Sequence, residues 1–167
     1  TLPVIPSVAL ELGPREAAPY QMMVEAGAEG LICYRVSYDE PTYRDLHPAG
    51  PKKNFSWRMD TPERAYAAGF RRLGIGPLFG LQDWRFEALA TAAHTRHLLK
   101  HCWKASLSLS LPRMRPATGG WAPSSEFHMH DRELVQAICA FRLLLPTSAV
   151  VVSTREHPAL RNGLVRL

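Results

Sequence analysis

Short apolar runs alternate along this chain with segments of helical period. Val4–Leu10 reads as a first strand. Pro14 then stands at a helix N1 position, and Glu16, Met22, Met23 and Ala26 carry a helix to Gly27, a residue suited to the position after a helix end. Leu31–Tyr38 predicts a second strand. A long polar stretch follows from Asp39 to Met59, punctuated by Pro41, Pro48, Gly50 and Pro51. Asp60-Thr61-Pro62 opens a short helix that closes at Gly69. Arg72–Gly76 is a third strand. Asp83 caps a long helix to about Cys102, its period traced by Leu89, Ala92, Ala93 and Arg96. Leu107–Leu111 is a fourth strand, and its alternation with Ser106, Ser108 and Ser110 predicts one polar face. After a loop from Pro112 to His130, Asp131 caps a helix with Leu134, Ile138, Phe141 and Leu145 on one side; Pro146 ends it, and Ala149–Ser153 is a fifth strand.

Strand and helix therefore alternate through five strands. The pattern predicts an α/β chain with about five parallel strands and right-handed crossover helices. An open doubly wound sheet and an arc of a (β/α) barrel both fit. A complete barrel needs about 250 residues, so five strands supply only part of one. No repeat, low-complexity tract or second domain is visible, and residues 1–167 read as a single domain.

Composition narrows the function classes. The chain is 46% hydrophobic, enough for one core. It opens on Thr1 without a basic leader, which reads as a start inside something larger or after processing. No apolar run approaches the roughly 18 residues of a membrane span, so a soluble chain is expected. The net charge is +5 and the pI about 9.4. The basic residues are scattered, at Lys52-Lys53, Arg71-Arg72, Arg113, Arg115 and Arg155, which favours a small anionic ligand over nucleic acid. Three cysteines, at 33, 102 and 139, make neither a disulfide framework nor a Cys-x-x-Cys motif, and point to a reducing, cytoplasmic setting.

The chemistry concentrates at predicted strand ends, where ligands bind in strand–helix chains. Arg113 and Arg115 flank Met114, so on an extended segment they point the same way and suit a bidentate grip on one anion. Pro112, Pro116 and Thr118-Gly119-Gly120 favour a shaped ligand loop there over two plain surface arginines. Arg155 follows Ser153-Thr154 and precedes Glu156; carboxylate recognition and an internal ion pair both fit it. Gly74-Ile-Gly-Pro-Leu-Phe-Gly80 lacks the dinucleotide-binding spacing, and reads either as a strand end kept small for a ligand or as a tight turn. His94, His97 and His101 share a helical spacing, but Arg96, Lys100 and Lys104 make that side read as a solvated face rather than a metal site. His128 and His130 are a weaker pair in a loop. Asp83-Trp84-Arg85 reads as a helix start, and no Ser-His-Asp, Cys-His or paired-carboxylate arrangement stands out.

Taken in order, Thr42–Lys52, Trp57–Arg64, Gly69, Gly74–Leu81, Pro112–Gly120, Asp131–Gln136, Ile138–Arg142 and Ser153–Glu156 resemble the 2-iminoacetate synthases, the tyrosine lyases of thiamine-thiazole biosynthesis. The hydrogenase-maturation tyrosine lyases are close cousins. The resemblance covers nearly the whole chain and implies a partial radical-SAM-type (β/α) barrel, the C-terminal part of a larger enzyme. It implies S-adenosylmethionine (SAM) and a [4Fe–4S] cluster as cofactors. The reaction implied is radical cleavage of the tyrosine Cα–Cβ bond to p-cresol and dehydroglycine, with thiazole synthase as a partner. By the same resemblance, Arg155 and Ser153 bind the substrate, Arg155 holding the tyrosine carboxylate. Tyr38, Gly74, Gly76, Arg113 and Arg115 lie on SAM-binding segments.

The sequence departs from the family pattern in two informative places. The cluster motif Cys-x-x-x-Cys-x-x-Cys is absent. The family's Gln-Glu-Thr-Tyr reads Arg35-Val36-Ser37-Tyr38, and valine has no polar atom for a cofactor. This chain alone is therefore expected to be inactive and prone to self-association through open sheet edges. A second reading is a degenerate stand-alone module that binds a small anion or a thiazole-synthase-like partner.

Overall fold

Five parallel strands form one sheet in the order β1-β2-β3-β4-β5, with no reversal. They are β1 (Ala9–Glu11), β2 (Gly30–Ile32), β3 (Arg72–Ile75), β4 (Ser106–Ser110) and β5 (Ala149–Val151). The computed structural model describes residues 5–116 and 126–167. A doubly wound sheet reverses its strand order at a switch point. This sheet does not, and its winding is that of successive barrel staves. The crossover helices accordingly lie side by side: α1 (Ala17–Glu25) on α4 (Thr61–Ala68), α4 on α5 (Trp84–His101), and α5 on α6 (Asp131–Leu144).

The strand register follows the hydrophobic pattern. Leu31 pairs with Leu73, and Leu73 with Leu107. Ile75 pairs with Leu109, and all five side chains are buried under the helices. Leu134, Ile138, Phe141 and Leu145 are buried together, as their spacing predicts. Glycine is required where strands close up. A Cβ on Gly76 would stand 1.8 Å from the Ser110 carbonyl oxygen, so β3 and β4 could not pair with any other residue there.

Several elements differ from the sequence expectation. The strands are shorter than the apolar runs, although pairing continues past β2 through Cys33 N–H to Gly74 O and Arg35 N–H to Gly76 O, both 2.9 Å. The polar stretch after residue 39 holds α2 (Glu40–Leu46), a 3-10 turn (Pro51–Lys53) and α3 (Phe55–Met59). These start on side-chain caps: Asp39 accepts from Thr42 N–H, and Asn54 from Trp57 N–H, each at 2.9 Å. The helix cap at α6 is His130 rather than Asp131, with Glu133 reaching back to His130 N–H at 2.8 Å. A seventh helix, α7 (Pro158–Leu164), closes the chain. On α5, of the expected Leu89, Ala92, Ala93 and Arg96, only Ala92 is buried; Leu89 is 73% exposed, and the rest of the buried side is Trp84, Glu87, Thr91, His94, Thr95 and Leu98.

Candidate functional site at the strand ends

The segments leaving β2, β3, β4 and β5 converge on a cavity of about 500 Å3. Its walls include Tyr34, Val36, Arg58, Ser110, Ser153 and Arg155. Val36 takes φ 71°, a left-handed conformation that β-branched residues rarely adopt. Pairing holds it there: Val36 bridges Pro77, and its carbonyl accepts from Leu78 N–H at 2.8 Å. Strain fixed by surrounding structure is common at functional sites.

The expected substrate residues meet in this cavity. Ser153 and Arg155 both line it. The Ser153 hydroxyl accepts from Arg155 N–H at 3.2 Å and the Ser153 carbonyl from Glu156 N–H at 3.1 Å, which makes a tight turn. That turn sends residues 155 and 156 different ways. Arg155 is exposed, and its guanidinium has no hydrogen bond or ion pair among the described residues. Glu156 is 3% exposed.

Arg113 and Arg115 do converge on one anion, and that anion is Glu156. Arg113 Nε donates to Glu156 Oε1 at 2.9 Å, and Nη2 bonds Oε2. Arg113 Nη1 donates to the Met129 carbonyl at 3.0 Å, and Nη2 pairs with Asp131 at 2.8 Å. Arg115 Nη2 donates to Glu156 Oε2 at 2.8 Å. These bonds hold the Glu156 carboxyl below its usual range and raise the Arg113 guanidinium further above its own. The extended-segment argument thus gives the right direction, but the bound carboxylate belongs to the chain. The Thr118-Gly119-Gly120 part of the expected loop lies outside the described residues.

The other expected cofactor positions are more dispersed. Gly74 packs against Ile32, whose Cγ1 would lie 2.7 Å from an added Cβ, and Gly76 against Ser110. Both fit close strand pairing, and the cavity wall comes from Pro77 and Leu78 beyond them. Tyr38 turns toward α5, where its hydroxyl meets His94 Nδ1 at 2.9 Å.

Three residues with strong local chemistry escape a reading of spacing alone. Glu87 is fully buried; it accepts from the Ser37 hydroxyl and from Tyr38 N–H at 3.0 Å, and so pins the end of β2 to α5. Burial raises its carboxyl above the usual range. His94, expected on a solvated face, is 9% exposed, and burial and then Arg35 lower its imidazole to about 3. Arg35 is buried beside it. The usable signal was the run Glu87, Thr91, His94, Thr95 and Leu98, one helix face in which Thr91 and Thr95 turn their hydroxyls back to carbonyls four residues earlier. His97 instead pairs with Glu63 at 2.9 Å and stacks on His101. Among the described residues no three His, Cys, Asp or Glu side chains group as metal ligands, and no helix is long and apolar enough to cross a membrane.

The chain is similar in sequence and fold to known proteins. Residues 110–167 match the Biotin and Thiamin Synthesis associated domain, a span that starts at the end of β4 and contains Arg113, Arg155 and Glu156. The 2-iminoacetate synthase of Escherichia coli is 41% identical over 96% of this chain. That of Salmonella typhimurium is 40% identical over the same share. The chain is homologous to part of 2-iminoacetate synthase. It spans 42% of the length of each of these relatives. The fold agrees too. The FeFe-hydrogenase maturase HydG from Carboxydothermus hydrogenoformans superposes with a TM-score of 0.88 and 32% identity, over 98% of this chain and 38% of that one. A second HydG crystal structure gives 0.87 and 26%, over 95% and 35%. The similarity to 2-iminoacetate synthase thus covers the strands and the rim together.

Proposed function

We propose that this chain carries the substrate-facing strands of a 2-iminoacetate synthase-like radical-SAM lyase, with Arg155 receiving the carboxylate of an aromatic amino acid, tyrosine by homology. One observation carries the reading. Of the three arginines at the ends of β4 and β5, two are bound to Glu156, and Arg155 alone lines the cavity without a protein partner among the described residues. Ser153 shapes the turn that presents it and lines the same cavity.

The residues present do not make a cluster site. Cys33 and Cys102 are buried on separate elements, Cys139 lies on α6, and the cluster motif is not in the sequence. SAM is served no better: Val36 offers no polar atom and Arg113 is occupied by Glu156. The role that remains for this chain's own side chains is to bind and orient an amino acid, and the radical chemistry of the family is not assigned to them. A cytoplasmic setting and docking to thiazole synthase belong to the same proposal.

Calorimetry with L-tyrosine tests it. Weak binding by the chain, reduced about tenfold or more in Arg155→Ala, is the expected result, because a hydrogen bond to a charged group contributes about 1.5–3 kcal/mol. Equal affinity in both proteins, or none in either, overturns it. The second reading, a module that binds an anion or a partner protein, is favoured by Arg35-Val36. It predicts retention of thiazole synthase by the chain, unchanged by Arg155→Ala.

A further inference from the structure

Arg35 and Arg58 are neighbours at the end of β2, and neither has a counter-ion among the described residues. Arg35 is 1% exposed. Its Nε, Nη1 and Nη2 are all buried with no hydrogen-bond partner among the described residues. Arg58, in the last turn of α3, is 7% exposed; its Nε donates to the Tyr34 carbonyl at 2.8 Å, while its Nη1 is buried without a partner. The groups that act on Arg35 are Tyr38, Cys33, Arg58 and Tyr43, and His94 lies within the same field. None of these is a carboxylate, and the hydroxyls of Tyr38 and Tyr43 already have partners. Tyr38 bonds His94, and Tyr43 donates to the Lys52 carbonyl.

An arginine cannot relieve burial by giving up its proton. An unpaired buried charge is among the most costly arrangements a protein can hold, and a second like charge beside it adds repulsion. The same chain shows how it treats its other buried arginine: Arg113 has Glu156, Asp131 and a carbonyl. The described residues offer Arg35 and Arg58 no anionic partner, and an ion from solution would supply one. Arg35 is almost wholly enclosed, which favours a small ion over an organic ligand or a phosphate ester. Arg58 also lines the rim cavity, and that wall gives the ion a way in.

We propose that Arg35 and Arg58 together hold a buried monovalent anion of halide size, with N–H groups from one edge of Arg35 and Nη1 of Arg58 as its ligands. The proposed site rests on Arg35 and Arg58 and does not depend on the lyase reading. It adds a solution anion as a component of the fold.

Bromide soaked into crystals of the chain tests it directly. An anomalous peak in contact with Arg35 and Arg58 is expected, and its absence there overturns the proposal. Melting in chloride against gluconate at equal ionic strength gives the solution readout. The unmodified chain should melt higher in chloride, and Arg35→Gln should lose that dependence. A folded Arg35→Gln that keeps the full chloride effect overturns the proposal; if that variant does not fold, the bromide experiment on the unmodified chain decides.

Discussion

Arg113 and Arg35 are both buried, both follow strands of the same sheet, and they are treated in opposite ways. Arg113 comes after β4 and meets Glu156, a carboxylate delivered by the turn after β5. Arg35 comes after β2 and meets phenols, a thiol, a neutral imidazole and another arginine. The difference shows where this fold keeps its charge balance. The β4–β5 end is closed by the chain itself, and Arg155 is left without a protein partner among the described residues. The β2 end is left cationic and asks for an ion from outside.

The largest test of the comparison removes the carboxylate. Glu156→Ala leaves the buried Arg113 only the exposed Asp131 and the Met129 carbonyl, and should cost about 3–5 kcal/mol in denaturant unfolding. A loss near zero would show that Asp131 and the Met129 carbonyl suffice. The converse test is Arg35→Gln, measured in a halide-free buffer. Removing a charge that has no protein partner should stabilise the chain by about 1–4 kcal/mol, the range in which buried ionic groups give way to neutral ones. Destabilisation there would mean that Arg35 already has adequate compensation.

Acid sharpens the β2 side. The unfolded His94 imidazole takes a proton near pH 6.5, and the folded one only near 3. The folded state therefore binds fewer protons in between. This contribution to stability is intact above pH 6.5 and is lost as the pH falls toward 3, at up to about 1.4 kcal/mol per pH unit. Glu87, raised by burial, works in the opposite sense above 4.5. The readout is therefore the difference in slope between the unmodified chain and His94→Gln, which should be flatter between pH 4.5 and 6.5. The smallest expected change in stability is at Arg155→Ala. That exposed side chain should leave the melting temperature unchanged while tyrosine binding falls. A drop in both would make Arg155 part of the scaffold.

Much of the fold was legible because burial repeats along the chain. Leu134, Ile138, Phe141 and Leu145 mark α6, and the five apolar runs mark five strands. The α5 face was not legible in the same way. Its buried side is made of Glu87, Thr91, His94 and Thr95, polar groups that become buried only because Ser37, Tyr38 and the helix carbonyls bond them. Residues 39 to 59 hid their helices for a related reason: these are short, capped by Asp39 and Asn54, and too small to show a period.

The alternation of strand and helix, the placement of arginines at strand ends and the family pattern are properties of the sequence alone, because periodicity and local spacing are encoded residue by residue. Which arginine the protein pairs internally is not. Arg113, Arg115 and Arg155 carry the same charge at similar places in the pattern. Only the turn at Ser153, which buries Glu156 and exposes its neighbour, assigns two of them to the protein and one to the cavity. That assignment depends on a contact across 43 residues of chain, between Arg113 and Glu156, and such pairings exist only once the sheet has brought the strand ends together.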